Sequence, residues 1–264
     1  MSLLELEVMP LSEQAAPPEP AGFDEPPVPA PAPDTHILRF YRSERWLHWA
    51  LAAPFLVCFA SAMMLVIVYN PDPQRPYRDL FSWLHRVSGL ALSVLPLFAI
   101  SWHHRDLRLH LYNIRQAWIW VLDDIKWLGV LAVSAVNKKA KLPDQGKFNA
   151  AEKINFMVLM TTYPLYILTG ALMWLTHVAF LAWIFHVLMA FMAGPLVLGH
   201  MYMALIDRGG RPGLAGMFTG WVPREWAKHH YRHWYREHHE AGEAVASPAA
   251  PVQEESTPAE MERN

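Results

Sequence analysis

The sequence predicts an all-α integral membrane protein whose four transmembrane helices form a bundle. Hydrophobic residues make up 53% of the 264-residue chain, and they are concentrated in four blocks. A helix needs about 20 predominantly apolar residues to cross a bilayer, and each block is about that long. The blocks cover residues 46–69, 80–102, 154–175 and 180–206. We therefore expect a transmembrane four-helix domain over residues 37–208.

The segment before the first block is polar and rich in proline. Residues 13–35 read EQAAPPEPAGFDEPPVPAPAPDT and offer few apolar residues at regular spacing. Because such a composition cannot bury enough apolar surface to order the chain, we expect residues 1–36 to form a disordered tail. Residues 1–10 have neither the basic start nor the long apolar run of a signal peptide, so we expect this tail to stay in the cytoplasm.

The distribution of lysine and arginine predicts the orientation of the four helices. Nineteen of these residues precede the first block, lie between the second and third, or follow the fourth. The opposite side would hold Arg75, Arg78 and Arg86. Because cytoplasmic segments carry the excess of positive charge, both termini should be cytoplasmic, with residues 209–264 as a basic tail. The basic segments favour contact with anionic lipid headgroups. The sequence contains no soluble basic module with interleaved aromatic residues, the pattern that would predict nucleic-acid binding.

The middle segment contains a further helical pattern that is too charged to cross the membrane. Residues 113–136 read NIRQAWIWVLDDIKWLGVLAVSAV, with apolar positions mostly at helical spacing that Asp123, Asp124 and Lys126 interrupt. We expect one helix lying in the cytoplasmic interface, with tryptophans such as Trp118 at the level of the lipid headgroups. Simple packing on the protein surface is the alternative.

Four histidines lie inside the apolar blocks, where ionisable side chains usually face the bundle interior and mark a function. His186 and His200 are separated by about 21 Å along a helix and by about 40° less than four full turns, so their rings share a face. His85 lies near the outer end of the second block, and His48 lies near the cytoplasmic end of the first. Matching the depths pairs His85 with His186 and His48 with His200.

Two such pairs predict two haems b stacked across the membrane. A low-spin b-type haem takes two imidazoles on opposite faces of a flat ring, and facing helices of a bundle can present them. Small residues would help to admit the rings, and we expect a kink between the two histidines of the fourth helix. These residues are Gly89, Ala190, Gly194 and Gly199, and the kink is expected at Pro195.

Other readings of the histidines stay open. A single histidine in a membrane helix can simply hydrogen-bond a neighbouring helix. His103 and His104 compete as ligands, but their depth does not match the other pairs, and we expect them at the membrane interface. The single cysteine, Cys58, excludes an internal disulfide, a CxxCH haem attachment and a cysteine-held iron-sulfur cluster on this sequence. The remaining histidines that we expect to be solvated are His177, His229, His230, His233, His238 and His239.

Three stretches give the sequence a resemblance to a known family. They are GKFNAAEK at residues 146–153, GHMYMAL at residues 199–205 and REWAKHHYRHWYRE at residues 224–237. Over about residues 37–240 the chain resembles the cytochrome b (gamma) subunit of membrane-bound respiratory formate dehydrogenases. In that family the first stretch reads Gly-Lys-aromatic-Asn-Ala-Gly-Gln-Lys, so Ala151 and Glu152 are departures from the pattern.

The resemblance implies a function as an electron-transfer subunit in a bacterial inner membrane. It implies that His85 and His186 hold an outer haem and that His48 and His200 hold a cytoplasmic one, the same pairs that the depths give. It also implies a site for menaquinone or ubiquinone beside the cytoplasmic haem, where Asn149 would hydrogen-bond a quinone carbonyl. Electrons would come from an iron-sulfur (beta) subunit and through it from a molybdenum- or tungsten-containing catalytic (alpha) subunit, and would contribute to the proton motive force.

Two alternatives to this function remain. The same role could serve another donor, as in the cytochrome b subunit of a nickel-iron hydrogenase or a thiosulfate reductase. The chain could also be a haem-free membrane anchor or a transporter that uses the histidines as a proton relay. The sequence shows no feature for binding formate, so any dehydrogenase chemistry belongs to other subunits. Glu152, His103 and His104 are candidate proton carriers by position and chemistry.

Overall fold

The computed structural model describes residues 35–68, 74, 76–134, 137, 140–176 and 180–240. The predicted N-terminal tail lies outside these residues except for Thr35 and His36, and His177 also lies outside them. In chain order the elements are β1 (His36–Leu38), α1 (Arg42–Met63), α2 (Arg78–Trp102), α3 (Leu107–Trp118), α4 (Leu122–Ser134), α5 (Ala150–Leu175), α6 (Phe180–Met201), α7 (Arg211–Thr219), β2 (Trp221–Pro223), α8 (Arg224–His230) and α9 (Arg232–Tyr235).

Four helices of the described chain are long and apolar enough to cross a membrane, as the sequence predicts. They are α2, α5, and α1 and α6, the last two each extended by a π-helical turn. Two of them begin about four residues before the predicted block because local caps start the helix early. The Tyr41 N–H donates to Glu44 Oε2 at 2.8 Å ahead of α1, and Asn149 Oδ1 accepts from the Glu152 N–H at 2.9 Å ahead of α5.

Many apolar side chains of these helices are exposed on the surface, to an extent that is unfavourable in water. Phe191 is 80% exposed, Leu175 75% and Phe180 72%. Such a surface suits lipid tails, while the backbone hydrogen bonds stay inside each helix. The four helices also contain Pro54, Pro96, Pro164 and Pro195 within their length and continue through them. Helix α6 therefore continues through Pro195, the residue at which the sequence predicts a kink.

The four helices form two antiparallel pairs, α1 with α2 and α5 with α6. The hydroxyl of Tyr163 on α5 donates to the Leu92 carbonyl on α2 at 2.8 Å and joins the pairs. At one end of the bundle lie the start of α1, the end of α2, the start of α5 and the end of α6. The remaining elements cover this end, which we call the cap end, and the other is the far end.

The cap combines the first described residues with the last. Strands β1 and β2 pair antiparallel, with His36 opposite Pro223. Around them residues 211–240, which the sequence places in a basic tail, fold against the bundle end. Their aromatic side chains form a small core, and the Arg39 guanidinium lies 3.6 Å from the ring centre of Tyr231. That core contains Ile37, Val222, Ala227, Tyr231, Trp234 and Tyr235.

The turn between α7 and β2 requires a glycine. Gly220 has a φ of 91°, a left-handed conformation that side chains with a Cβ rarely adopt. A Cβ there would also lie 2.9 Å from the Phe40 carbonyl oxygen. The Gly220 carbonyl in turn accepts from the N–H groups of Arg39 and Phe40, so this turn ties α7 to the strand before α1.

The prediction of one helix over residues 113–136 is wrong, because the structure has two helices, α3 and α4, separated at residues 119–121. Lys153 of α5 stabilises the break, because its ammonium donates to the Ile119 carbonyl at 2.9 Å and to Asp124 Oδ2 at 2.7 Å. The same carboxylate accepts from the Val121 N–H at 2.9 Å. A buried ion pair from another helix therefore replaces the helical hydrogen bonds that the periodicity alone predicts.

Candidate functional site

At the cap end, α1 and α6 bring one histidine pair together. The ring centres of His48 and His200 are 6.5 Å apart, and their planes are inclined by 47°. His48 is half-buried and packs edge-on against Trp49, whereas His200 is exposed. We call His48 and His200 the cap-side pair.

At the far end, α2 and α6 bring the other pair together. The ring centres of His85 and His186 are 6.1 Å apart, with planes inclined by 78°. Both rings are half-buried, and Tyr166 of α5 packs edge-on against His186 at 5.6 Å. We call His85 and His186 the far-side pair. The two pairs are the ones that the sequence groups by depth.

The spacing of both pairs suits two imidazoles on one iron ion. An imidazole nitrogen binds a first-row metal at about 2 Å and lies about 1.2 Å from its ring centre, so two opposed rings have centres about 6 to 6.5 Å apart. In the described part of the chain no group of three or more histidine, cysteine or acidic residues could hold a bare metal ion. Two histidines alone suit a metal whose remaining ligands come from a porphyrin, and the residues present therefore fit haem.

Hydrogen bonds fix the tautomer of the far-side pair. The Thr169 hydroxyl donates to the Leu165 carbonyl at 2.6 Å, so its oxygen accepts from Nδ1 of His186 at 2.8 Å. His85 Nδ1 lies 2.9 Å from the Cys58 carbonyl oxygen, which can only accept. Both Nδ1 atoms therefore carry hydrogen, which leaves each Nε2 with a lone pair for a metal.

The groups that support the far-side pair could not be identified from the sequence. Cys58 lies against His85, with Sγ 3.4 Å from Nδ1, and Ser61 Oγ lies at the same distance from that atom. Thr169 lies six residues before the end of α5, and its hydroxyl contacts His186. Serine and threonine inside an apolar helix are ambiguous in sequence, because they usually bond the carbonyl four residues earlier, as Ser61 also does.

The predicted small residues have different surroundings. A Cβ on Gly89 would lie 4.0 Å from Cys58 Sγ, and a Cβ on Gly194 would lie 3.6 Å from Phe59. Gly199, next to His200, borders open space, and Ala190 is half-buried. Gly170, which the sequence analysis did not single out, has the closest relation to a histidine, because its Cβ would lie 3.5 Å from Cε1 of His186.

Below the cap-side pair lies a group of buried polar side chains, which we call the cap cluster. Its members are Glu44, His110, Asn113 and Lys147. Glu44 Oε1 accepts from Lys147 Nζ at 2.8 Å and from Asn113 Nδ2 at 2.5 Å. Glu44 is one helical turn before His48 on α1, so the cluster adjoins the cap-side pair. Among the described residues no donor or acceptor meets His48 Nδ1.

Burial governs the electrostatics of the cap cluster. It lowers the pKa of His110, although the Glu44 and Asp106 carboxylates raise it in part. Burial also lowers the pKa of Lys147, against the opposing effect of Glu44. Burial and the carboxylates of Glu237 and Glu44 raise the pKa of Tyr112 to about 12, so this phenol stays protonated. Two members of the cap cluster, His110 and Lys147, therefore have a charged form that burial disfavours.

Asn149 lies at the start of α5, and its side-chain oxygen caps that helix. Because Oδ1 is engaged with the Glu152 N–H, its Nδ2 is the part of the amide that is left to donate, and within the described chain no hydrogen bond engages it. Glu152 is also engaged on both oxygens, accepting from the Asn149 N–H and from the Tyr231 hydroxyl at 2.7 Å. Glu152 thus ties α5 to the cap, while Ala151 is exposed.

The other predicted histidines lie apart from both pairs. His103 ends α2, with Nδ1 3.0 Å from the Ala99 carbonyl oxygen, and His104 is exposed. Three histidines of the C-terminal region are exposed, as expected, namely His229, His230 and His233. The expectation that His238 and His239 are solvated is wrong, because both are half-buried and pack on Trp234 or Tyr235.

Two histidine pairs at two depths of an apolar four-helix bundle define the class, a membrane cytochrome b. In agreement, the chain belongs to the prokaryotic cytochrome b561 family, whose model matches residues 39–220. At the level of single proteins it is similar to the cytochrome b556 subunit of formate dehydrogenase from Haemophilus influenzae. The two sequences are 31% identical over 221 residues, which cover 77% of this chain and 84% of that protein.

Two proteins of Escherichia coli strain K12 are also similar. The cytochrome b556(Fdn) subunit of the nitrate-inducible formate dehydrogenase is 29% identical over 162 residues, covering 58% of this chain and 68% of the relative. The cytochrome b556(fdo) subunit of formate dehydrogenase is 25% identical over 220 residues, covering 76% of this chain and 92% of the relative. The resemblance drawn from the sequence stretches is thereby confirmed.

Proposed function

We propose that this chain is the di-haem cytochrome b subunit of a formate dehydrogenase in a bacterial inner membrane. In this role it carries electrons from an iron-sulfur subunit across the membrane to quinone. The observation that carries the proposal is the presence of two histidine pairs with ring spacings of 6.1 and 6.5 Å at the two ends of one bundle. Three relatives that are formate dehydrogenase subunits by name support the donor.

Each pair would hold one haem b, with His85 and His186 as the ligands at the far end and His48 and His200 as the ligands at the cap end. Haem bound in this way supplies a carrier for one electron at a time. The chain holds the ligand rings in place, as the hydrogen bonds from His186 to Thr169 and from His85 to the Cys58 carbonyl do at the far end.

The excess of lysine and arginine at the cap end supports an orientation with the cap and both termini in the cytoplasm. The far-side pair would then lie near the outer surface, where an iron-sulfur (beta) subunit would deliver electrons from the molybdenum- or tungsten-containing catalytic (alpha) subunit. Electrons would cross inward to the cap-side pair, and protons for the quinone would come from the cytoplasm. This separation of charge contributes to the proton motive force.

The quinone, menaquinone or ubiquinone, would bind at the cap end near the start of α5. Asn149 supports this position because its Nδ2 is available to donate to a quinone carbonyl while its oxygen caps the helix. Asn149 lies two residues after Lys147, whose side chain enters the cluster next to the cap-side pair. The same loop therefore links the candidate quinone site with the candidate haem site.

The test begins with the wild-type chain purified with its native partners. We expect a pyridine haemochrome count of two b-type haems per chain and a reduced-minus-oxidised spectrum that formate produces without dithionite. A complex that contains a large hydrogenase subunit instead of a formate dehydrogenase would overturn the assignment of the donor. A colourless chain from haem-replete cells would overturn the haem assignment and favour an anchor or a proton relay.

A further inference from the structure

The cap cluster is more polar than the fold of the cap requires. The Glu44 and Lys147 side chains are 9% and 4% exposed, and the ion pair between them measures 2.8 Å. Taking two charges out of water is costly, and such a pair rarely improves stability over apolar residues of similar size. A second buried pair, Asp124 with Lys153, has an evident structural use, because it holds the break between α3 and α4. In the cap cluster Glu44 Oε2 caps the start of α1, but the ion pair is made by the other oxygen, Oε1, and holds no break between helices.

Two atoms of the cap cluster also have incomplete hydrogen bonding. His110 is 7% exposed and Asn113 9% exposed, and no described residue meets His110 Nε2 or Asn113 Oδ1. The two residues are three apart on α3, so the atoms lie on one face of that helix. Buried polar atoms of this kind usually bind ordered water. The cluster therefore suits a short hydrated path and not a dry structural contact.

The position of the cap cluster connects the surface with the candidate redox site. On the surface side, Asp106 and His103 in the turn before α3 lie close enough for their charges to act on His110. On the membrane side, Glu44 lies one helical turn before His48, and Lys147 lies two residues before Asn149. The hydrogen bonds of Glu44 with Asn113 and Lys147 join the two sides.

We propose that the cap cluster conducts the protons that the quinone takes up when it is reduced. This inference rests on the proposed function. Each quinone accepts two electrons, which the iron-sulfur partner supplies one at a time through this chain, and two protons, one on each carbonyl oxygen, to give the quinol. The cap cluster would deliver these protons from the cytoplasm and would regain them from the surface at His103 and Asp106.

The chemistry of the members suits this role. A neutral imidazole can accept a proton on one nitrogen and release one from the other, and burial favours the neutral form of His110. Burial likewise eases the release of a proton by the Lys147 ammonium, while the Glu44 carboxylate favours its return. Around His110 the facing ionisable groups are Glu44, Asp106, His103 and Lys147, so its protonation depends on all of them.

The experiment uses the whole complex with its partners, in which His110→Phe and Glu44→Gln are compared with Asp124→Asn. The control also neutralises an acid in a buried ion pair with lysine, but at the pair that lies at the helix break. Three quantities are measured in each variant, namely the haem count, the rate of haem reduction by formate and the rate of formate-dependent quinol formation from pH 6 to 8.

For His110→Phe and Glu44→Gln we expect the haem count and the rate of haem reduction to stay at the wild-type values. Quinol formation should fall about tenfold or more, with an altered pH profile, because proton transfer by a positioned group contributes at least that much. Asp124→Asn should keep the wild-type rate and profile. If Glu44→Gln loses its haems, His110→Phe decides, because it leaves the ion pair intact.

Wild-type rates and pH profiles in both cluster variants would overturn the proposal and leave the proposed function standing. An equal loss in Asp124→Asn would also overturn it, because the effect would then follow from any broken ion pair. If the wild-type complex holds haem but forms no quinol with formate, the proposed function fails and this inference fails with it. The two failures are distinguished by the wild-type rate alone.

Discussion

The two histidine pairs have nearly the same ring spacing but different surroundings. At the far end both Nδ1 atoms are hydrogen-bonded, one to the Cys58 carbonyl and one to the Thr169 hydroxyl. At the cap end His200 is exposed, and no described residue meets Nδ1 of His48. The far-side pair is held by helices alone, whereas the cap-side pair adjoins the ionisable groups of the cap cluster.

This difference indicates a division of labour between two sites of the same chemistry. A fixed pair among apolar helices suits the passage of electrons without protons. A pair beside buried ionisable groups suits a place where electron transfer and proton uptake are coupled. The comparison can be tested by changing one end at a time and measuring what happens at the other.

The largest effect is expected from removing a ligand at either end. We expect His186→Ala and His200→Ala each to lower the haem count from two to one. This effect is larger than the ~100-fold loss of affinity that can follow removal of a group that hydrogen-bonds a ligand. The remaining haem should distinguish the ends. Formate should still reduce it in His200→Ala, whereas only dithionite should reduce it in His186→Ala, because in the proposed function electrons enter at the far end.

The haem count is measured as the pyridine haemochrome, and the reduction is followed in the visible spectrum. His104→Ala serves as the control, since His104 is exposed and lies apart from both pairs. Two haems in both His186→Ala and His200→Ala would contradict both sites. Equal reduction by formate in His186→Ala and His200→Ala would contradict the direction of electron flow.

A smaller effect is expected from the outer partner of a ligand. Thr169→Val keeps the shape of the side chain but removes the oxygen that accepts from His186 Nδ1. We expect the affinity for the far-side haem to fall by ~10- to 100-fold while the cap-side haem is unaffected. The measurement is the loss of haem to a scavenging apoprotein, with Thr162→Val as the matched control.

Thr162 of the same helix also donates to the carbonyl four residues earlier, at 2.8 Å, but no contact of its hydroxyl with a histidine is found in the described residues. The control therefore removes the same backbone hydrogen bond without the ligand contact. Equal haem loss in both variants would assign the effect to α5 itself and not to the orientation of His186.

The candidate quinone contact should give a further, smaller effect at the cap end only. Asp caps a helix as well as Asn does but lacks the amide donor, so Asn149→Asp separates the two functions of this side chain. We expect the KM for quinone to rise about fivefold to tenfold, since one hydrogen bond contributes ~1 kcal/mol, while the melting temperature stays constant. Asn149→Ala should change both. An unchanged KM in Asn149→Asp would contradict the quinone contact.

The four membrane spans and the positions of the four histidines along them could be predicted from the sequence. Each span is a long apolar block, and a 14-residue separation of His186 and His200 places both rings on one helix face whatever the neighbouring helices do. The depth of His48 and His85 follows from their place in the blocks. These features depend on local periodicity and on membrane thickness, and both can be read from the chain.

The cap and the supporting contacts could not be predicted in this way. The break after Trp118 depends on Lys153, which is distant in sequence and reaches Ile119 only in the folded chain. The hydrogen bond of Thr169 to His186 likewise depends on how α5 packs against α6. The aromatic residues of the C-terminal region form a core only when they meet β1, which lies more than 180 residues earlier in the sequence.

The smallest effect concerns the pH dependence of stability at the cap end. Burial lowers the pKa of His110 in the folded protein below its ordinary value of 6.5, so the unfolded chain binds the proton more readily. The contribution is therefore fully present above pH 6.5 and is lost as the pH falls through the folded pKa, with a slope of at most about 1.4 kcal/mol per pH unit. Thermal unfolding of the wild type and of His110→Gln at pH 7.5 and 5.5 measures it.

We expect the wild type to lose more stability between these pH values than His110→Gln does, while the exposed His104→Gln control should follow the wild type. The facing groups set the size of the difference, because Glu44 and Asp106 raise the pKa of His110 while His103 and Lys147 lower it. Identical losses in the wild type and His110→Gln would show that His110 is protonated equally in both states. The cap cluster would then lack the buried neutral imidazole that the proton path requires.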